Sequence, residues 1–361
     1  MSHKSLNNIF SDLKVIELSS VLAGPSVGLF FLELGADVIK IENKITKGDV
    51  TRSWKLKTEN KKESASAYYW SVNAGKKTIL MDIKNPIDLN KVYELIKHAD
   101  ILITNFKTGD DIKLKLDYKT VKKINTTLIY ASISGFGSNV YRTAYDLILQ
   151  AESGFMFMNG EKQSPPLKMP VAMIDILAAH QLKEAILISL LQRFKSQVGS
   201  HVTVSLFDAA IASLANQATN WLIANDLPQA TGSLHPNIAP YGEIFTTKDN
   251  HQITFAIGST IQFTGLLDVL GLPKEKDNPL YVTNQLRVKN RELLFSILNN
   301  KIKTKNFQPI YKSCIANDIP IGKIRNLKEV FELPMAKNMI KKTMYRNKTL
   351  QTVKSIAFQV L

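Results

Sequence analysis

The sequence of 361 residues contains a single cysteine, Cys314. One thiol cannot form an internal disulfide framework, so we expect a reducing, cytoplasmic setting. A lone cysteine is also a candidate nucleophile. Cys314, however, lies in YKSCIANDI, which is typical of an amphipathic helix end, and we therefore assign it a packing role.

Long apolar runs are also missing. The most apolar N-terminal stretch, VLAGPSVGLFFLELG, is interrupted by Pro25 and Glu33 and is too short to span a bilayer. MSHKSLNNIF lacks the apolar region of a signal peptide. We therefore expect a soluble protein without a membrane partner.

The chain has an excess of positive charge but no nucleic-acid or metal motif. Its 46 basic and 31 acidic residues give a net charge of +15, which favours anionic partners. Zinc-ligand spacing, a helix-turn-helix signature and aromatic RNA-binding motifs are absent, so we expect no metal site and no nucleic-acid partner. The sequence also lacks GxGxxG, so a nicotinamide cofactor is not indicated.

The first 140 residues alternate between strand and helix patterns. The predicted strands are KVIEL, DVIKIE, KKTILMDI, ADILITNF and TLIYASISGFG. The helical stretches between them include PSVGLFFLELG, PIDLNKVYELIKHA and YKTVKKIN. This alternation predicts an α/β fold with a doubly wound parallel sheet, which binds ligands at the carboxyl ends of its strands.

The pattern changes after this region. A long helix is predicted over 174–197, ended by Gly199, and a strand and a further helix follow it. Pro and Gly turns then precede two strands and several helices. We predict a large Rossmann-like domain over 1–200, a linker helix over 201–224 and a smaller α+β domain over 225–330. Residues 331–361 are expected to return to the large domain.

Three polar turns stand where a ligand is expected. VLAGPSVG follows the first strand, with Pro25 at the predicted first position of a helix. NFKTGDDIKLKL follows the strand ADILIT and offers Lys107 and Lys113 to a phosphate group. The third segment, SGFGSNVYRTAYDLILQA, places Asp146 in an apolar helix, where an acid is either a paired structural group or a functional one.

Together these segments resemble CoA-transferase family III, the formyl-CoA and carnitine CoA-transferase family, whose fold is shared with α-methylacyl-CoA racemase. The resemblance covers nearly the whole chain and rests on LKVIELSSVLAGP, LGADVIKIEN, NAGKKTILMDIKNP, ADILITNF, LIYASISGFG, YDLILQAESG and HPNIAPYGEIF. It implies a Rossmann-like domain, a smaller domain and an interlocked homodimer. The implied substrates are a coenzyme A thioester and a carboxylic acid, with no permanently bound cofactor.

The same resemblance implies a binding site for acyl-CoA at the ends of the strands. The implied contacts are Val21, Leu22, Ala23, Met81, Lys84, Asn105, Phe106, Lys113 and Leu114. The chain departs from the family at Asn43 and Ser134, where members carry basic residues. Lys44 and Lys47 are available to replace them.

The largest departure lies in the turn MNGEKQSPPL, over 158–167. Family transferases attack the thioester with an aspartate of this turn, and the resemblance places Gln163 at its position. A carboxamide has no anionic oxygen and cannot perform nucleophilic catalysis of this kind. One explanation is that the nucleophile has shifted to Glu161 in the same turn. Another is a family member that binds CoA esters without transferase chemistry.

A third explanation is racemase-like chemistry, in which two groups exchange a proton with the α-carbon of the acyl chain. Asp175 matches the racemase aspartate, but Tyr145 stands at the position of the racemase histidine. Asp175 and Asp146 are also candidates for structural roles. Asp175 is a candidate N-cap of the long helix, and Asp146 a candidate acceptor for backbone amides.

Overall fold

The computed structural model describes residues 8–359, and the chain forms two compact units. The first unit takes the residues up to 156, then 168–228 and those from 337 onward. The second unit takes 157–167 and 229–336. The turn over 158–167 therefore groups with the second unit, whereas the sequence prediction placed it in the large domain.

The first unit is built on a parallel sheet of six strands. These strands are β1 (Lys14–Leu18), β2 (Asp37–Asn43), β3 (Lys77–Met81), β4 (Ile101–Thr104), β5 (Ile129–Ser134) and β6 (Ser200–Ser205). Their order is β3-β2-β1-β4-β5-β6, so the order reverses between β1 and β4. Such a switch point opens a crevice at the carboxyl ends of these two strands. The predicted α/β class is confirmed.

In the described part of the chain, helices accompany these strands. They are α1 (Ala23–Glu33), α2 (Ala67–Asn73), α3 (Pro86–Lys97), α4 (Asp110–Lys113), α5 (Tyr118–Lys122), α6 (Asp146–Glu152), α7 (Phe155–Met158), α8 (Met173–Ser196), α9 (Leu206–Ala212) and α10 (Ala215–Ala224). Neighbouring strand residues point to opposite faces: Val15 packs in one apolar core with α1 and α8, and Ile16 in another with α3. Burial on both faces explains why the strands are continuous apolar runs.

Three local predictions need correction. The helix α1 begins at Ala23, so Pro25 is its third residue rather than its first. The helix α8 ends at Ser196, where Gln197 takes the left-handed conformation with φ 56°. Gly199 is needed for close packing instead, because a Cβ there would lie 2.1 Å from the carbonyl oxygen of Leu128. The predicted linker over 201–224 contains most of β6, then α9 and α10.

The second unit contains an antiparallel sheet in the order β7-β8-β9 and helices packed on it. The strands are β7 (Tyr241–Thr246), β8 (Gln252–Ala256) and β9 (Ile321–Lys323). The helices are α11 (Thr260–Leu270), α12 (Asn284–Lys289), α13 (Arg291–Ile302), α14 (Phe307–Ala316), α15 (Leu327–Glu332) and α16 (Pro334–Lys337). Cys314 is fully buried in this core, and burial raises the pKa of its thiol to about 12. Its environment fits the packing role.

The chain ends in a hairpin that the sequence patterns left unassigned. It consists of β10 (Ile340–Tyr345) and β11 (Lys348–Val353), which pair in an antiparallel manner. The hairpin groups with the first unit, where the ring of Tyr345 packs on Trp70 with 4.4 Å between centroids. Over residues 8–359, no helix has both the length and the apolar character needed to cross a membrane.

Candidate active site

The loop after β1 lies at the switch point of the sheet. Asn105, just beyond β4, holds this loop through two hydrogen bonds: the Ser20 amide donates to its Oδ1 at 3.0 Å, and its Nδ2 donates to the Ser20 carbonyl at 2.8 Å. The next residue, Val21, has a left-handed backbone with φ 69°. The two strand ends are thereby joined into one rim.

A cavity of about 1030 Å³ opens beside this rim, also within the first unit. Four of the predicted CoA contacts line it: Lys84, Asn105, Phe106 and Leu114. Three lysines on its wall, Lys47, Lys84 and Lys107, have no ion-pair partner among residues 8–359. Four acids also line the cavity, but Glu42, Asp49 and Asp110 are paired with basic residues, and only Asp82 has no ion-pair partner in the described chain. The unpaired groups therefore leave an excess of positive charge, which suits a ligand that carries several phosphates.

A smaller cavity, of about 180 Å³, shares Ser20, Asn105, Phe106 and Lys107 with the larger one. Val21, Leu22 and Ala23 line this smaller cavity, as the resemblance implied for CoA contacts. Its wall also includes Tyr145, Asp146 and Asp175, all three predicted as candidate catalytic residues. The fold thus gathers residues more than 150 positions apart around one small space.

Two of the implied CoA contacts lie outside both cavities. Met81, at the end of β3, is buried in the apolar core, and its carbonyl accepts the Lys44 amide at 3.0 Å. Lys113 is exposed and pairs with Asp110 of the same helix at 3.1 Å. Asn43, Ser134 and Lys47 do line the cavities, whereas Lys44 does not.

Asp175 is a buried carboxylic acid in the first turn of α8. Its side chain accepts no hydrogen bond from any donor in the described part of the chain, and only 7% of the residue is exposed. Burial, reinforced by the negative charge of Asp146, raises the pKa of Asp175 to about 7. Since a buried charge without a partner is costly, this side chain exchanges readily between its neutral and anionic forms near neutral pH.

Asp146 plays the structural part that was proposed for it. Its Oδ1 accepts the amide of Ile174 at 2.7 Å and that of Asp175 at 3.4 Å, so it caps the free N-terminal amides of α8. Its Oδ2 accepts the Gln150 amide group at 2.6 Å. The prediction of Asp175 as N-cap is therefore wrong: Ala172 occupies that position, and the capping oxygen comes from another helix.

Two tyrosines belong to this corner of the first unit. Tyr145 precedes α6, is 56% exposed and lines the small cavity. Tyr68 on α2 was missed by sequence reasoning. Burial and the charges of Asp175, Asp146 and Asp49 raise the pKa of its phenol to about 12, so it stays neutral. The only signal in the sequence was its place in the aromatic run AYYW.

The turn over 158–167 is a hairpin of the second unit. Asn159 and Leu167 are joined by two hydrogen bonds: the Leu167 amide donates to the Asn159 carbonyl at 3.3 Å, and Asn159 Nδ2 donates back at 2.8 Å. Gln163 is exposed at the tip with φ 66°. Glu161 is exposed, packs on Gly232 and lines a cavity of about 910 Å³ within the second unit, which Arg291 also borders.

Within residues 8–359 there is no group of three His, Cys, Asp or Glu side chains that could hold a metal ion. The small cavity offers the buried acid Asp175, the phenol of Tyr145 and the cations of Lys107 and Arg142. Residues 10–360 match the family model described as CoA-transferase family III. The chain belongs to CoA-transferase family III.

Relatives of this family III chain include enzymes with named activities. The succinate–glutarate CoA-transferase of Agrobacterium fabrum is 37% identical over 330 residues, which span 90% of this chain and 82% of the relative. The acetyl-CoA:oxalate CoA-transferase of Acetobacter aceti is 31% identical over 340 residues, spanning 92% and 86%. The family resemblance read from the sequence motifs is thus confirmed.

A solved structure matches the fold as well. The crystal structure of a CAIB/BAIF family protein from Brucella suis has a TM-score of 0.88 and 34% identity. The match covers 98% of this chain and 93% of the other. The architecture of this family III chain is therefore that of a known fold.

Proposed function

We propose that this family III member transfers CoA between an acyl-CoA thioester and a carboxylic acid, and that Asp175 is the acting carboxylate. The observation that carries the assignment is the place of Asp175. It is buried, has a pKa raised to about 7, and faces the cavity lined by Val21, Leu22 and Ala23. Glu161, the other candidate, is exposed on the hairpin of the second unit.

The reaction proceeds through four exchanges at carbonyl carbon. The Asp175 carboxylate attacks the thioester, giving an acyl–aspartyl anhydride and the CoA thiolate. The thiolate attacks the aspartyl carbonyl, which releases the donor acid and leaves an aspartyl-CoA thioester. The acceptor carboxylate attacks that thioester, giving a new anhydride and the thiolate again. The thiolate then attacks the acyl carbonyl, which forms the new acyl-CoA and restores Asp175.

The environment of Asp175 favours these reaction steps in two ways. A carboxylate of higher pKa is a stronger nucleophile, and half of the Asp175 side chains are ionised near pH 7. Burial also keeps water from the anhydride, which would otherwise hydrolyse. Lys47 and Lys84, which line only the larger cavity of the two, are proposed to bind the phosphates of CoA there.

Short-chain dicarboxylic acids are the proposed acceptors. The names of the relatives specify succinate, glutarate and oxalate. Lys107 borders both cavities and has no ion-pair partner in the described chain, so it is available to a second carboxylate of the acceptor. Activity with dicarboxylic acids and little with monocarboxylic acids of equal length would support this assignment.

A homodimer in the cytoplasm is proposed as the working state. The last turn of α10 exposes Trp221, Leu222 and Ile223, with 49%, 77% and 77% of each residue accessible in the single chain. Large apolar side chains exposed within one helical turn are typical of an interface. Light scattering after size-exclusion chromatography measures the mass, and a monomer at micromolar concentration would contradict the proposal.

The assignment of Asp175 is tested by trapping the acyl-enzyme. The protein is incubated with succinyl-CoA or glutaryl-CoA and hydroxylamine, which converts an anhydride or enzyme thioester into a stable hydroxamate. Peptide mapping by mass spectrometry locates the label. We expect it on Asp175 in the wild type and nowhere in Asp175→Asn. A label on Glu161 would overturn the role of Asp175 but retain the transferase.

One observation favours a second function, α-methylacyl-CoA racemisation. Tyr145 and Asp175, which the family resemblance aligns with the racemase acid–base pair, both line the small cavity. A racemase exchanges the α-proton of its substrate with solvent. Deuterium uptake at the α-carbon of 2-methylacyl-CoA in D₂O, with no hydroxamate formed, would therefore replace the transferase assignment. CoA binding without either signal would indicate a binding protein.

A further inference from the structure

The backbone of Val21 is strained at the place where the small cavity begins. Its φ of 69° lies in the left-handed region, which a β-branched residue rarely adopts because the conformation is strained. Such a conformation persists only where the surrounding structure holds it. The contacts of Val21 and its neighbours show what holds it.

Two buried side chains bind this loop directly. Asp49 accepts the Val21 amide through Oδ2 at 3.2 Å. Lys40 of β2 donates from Nζ to the Ser19 carbonyl at 2.6 Å and lies 3.3 Å from the same Asp49 oxygen. Asp49 is fixed in turn, because its Oδ1 accepts the amide and the hydroxyl of Thr51 at 3.0 and 2.8 Å. The loop is thus held on both sides of Val21.

The same network reaches the helix that follows the loop. Glu17 of β1 binds Lys40 through Oε1 at 2.8 Å and Lys76 through Oε2 at 2.7 Å. Lys76 also donates to the carbonyl of Pro25 in α1 at 2.7 Å. The side chains of Glu17, Lys40 and Lys76 are 0% exposed and that of Asp49 is 1% exposed. These four residues are called the ion network below.

Stability alone does not account for the ion network. Buried ion pairs lose hydration, and well-packed apolar residues of equal volume are often as stabilising. Ion pairs do, however, fix the geometry of the backbone atoms that they bind. Here those atoms are the Ser19 carbonyl, the Val21 amide and the Pro25 carbonyl. All three flank the amides of Leu22 and Ala23, which have no acceptor among residues 8–359.

We propose that Asp49 and Lys40 are positioning residues for the reaction. They hold Val21 in its strained conformation, so that the free amides of Leu22 and Ala23 face the cavity and donate to the bound acyl-CoA. This inference rests on the proposed CoA site, since Leu22 and Ala23 line the cavity assigned to it. Neither Asp49 nor Lys40 needs to touch the reacting atoms.

The test uses a double-mutant cycle between Asp49→Asn and Val21→Gly, with CoA as the probe in isothermal titration calorimetry. Within the described chain the Asp49 carboxylate contacts only donors, so an amide group in either orientation turns its own NH₂ towards one of them. We expect Asp49→Asn to weaken CoA binding about tenfold, the loss of one hydrogen bond to a charged group. Glycine adopts a left-handed backbone at no steric cost, so Val21→Gly should restore binding in the double variant to within about threefold of Val21→Gly alone.

The matched control is Gln197→Gly, at a second left-handed position, φ 56°, that lines neither cavity. It should not rescue Asp49→Asn. Additive effects of the two substitutions, or equal rescue by Gln197→Gly, would overturn the inference. If the wild type itself does not bind CoA, the proposed function fails instead, and the two failures are thereby distinguished.

A measurement on the wild type covers the case in which Asp49→Asn does not fold. Hydrogen–deuterium exchange resolved to single residues should show the Val21 amide protected with or without CoA. The amides of Leu22 and Ala23 should exchange fast in the free protein and slowly with CoA. Fast exchange at Val21, or no change at Leu22 and Ala23 on binding CoA, would contradict the positioning role.

Discussion

The two candidate carboxylates, Asp175 and Glu161, differ in almost every physical respect. Asp175 is the third residue of a 24-residue helix and is buried, and the charge of Asp146 helps to raise its pKa. Glu161 lies on a hairpin that is joined by a few backbone hydrogen bonds, and it is exposed. The comparison shows how far local environment separates two carboxylates of one chain, and it makes the buried acid with the shifted pKa the stronger catalytic candidate.

The largest expected effect follows from replacing the proposed nucleophile. Asp175→Asn should lower kcat for CoA transfer by about 10³-fold or more, because a carboxamide cannot form the anhydride. Glu161→Gln is the matched control and should change kcat less than threefold, roughly the scale of a surface substitution. Initial rates with succinyl-CoA and glutarate measure both. The reverse order of effects would move the nucleophile to the hairpin.

Asp175→Asn and Glu161→Gln should also differ in their free energy of unfolding. A folded-state pKa raised from 3.8 to about 7 favours the neutral acid. The stability that this provides is present below pH 3.8 and lost as the pH rises through about 7. Asparagine cannot ionise, so Asp175→Asn should raise the free energy of unfolding at pH 8 by up to about 4 kcal/mol. Urea unfolding at pH 8 and pH 5.5 should show the larger gain at pH 8.

An intermediate effect concerns the pH dependence of the rate. Since the nucleophile must be ionised, kcat/KM should rise with pH and level off above about pH 7. Asp146→Asn keeps an oxygen acceptor for the Ile174 amide but removes the charge that helps to raise the pKa of Asp175. The rise should therefore move to lower pH. A profile that Asp146→Asn leaves in place would exclude Asp175 as the titrating group.

The smallest effect on the fold is expected from Gln163→Asp. The φ of 66° at this exposed tip suits an aspartate, since Asp is enriched in the left-handed region. The free energy of unfolding should change by less than about 0.5 kcal/mol. In the hydroxylamine experiment, a second label at position 163 would show that the hairpin reaches the thioester during turnover. No label there would leave Asp175 as the reactive site.

The sequence predicted the parallel sheet well, because strands buried on both faces are short apolar runs between amphipathic helices. It did not predict the hairpin of β10 and β11. The segments IKKTMY and KTLQTV are rich in lysine and threonine and bury little, so their hydrophobic pattern is weak. The predicted single helix before residue 224 also divides in two, since Ser213 and Leu214 separate α9 from α10.

The candidate site was harder to predict because its key contacts are long-range. The cap of α8 comes from Asp146, and no local pattern around residue 175 could reveal a partner 28 positions away from Ile174. The ion network does have a signal in the sequence. Glu17 and Lys40 interrupt the apolar strands KVIEL and DVIKIEN, and a charge inside a doubly buried strand requires a partner.

The buried Cys314 can report when the second unit opens. With a thiol pKa near 12 and no exposure, it reacts with a thiol-specific dye only when its surroundings open. The chain has no other cysteine, so the labelling rate counts those openings alone. The intact protein therefore reports local unfolding of the second unit without any added probe residue.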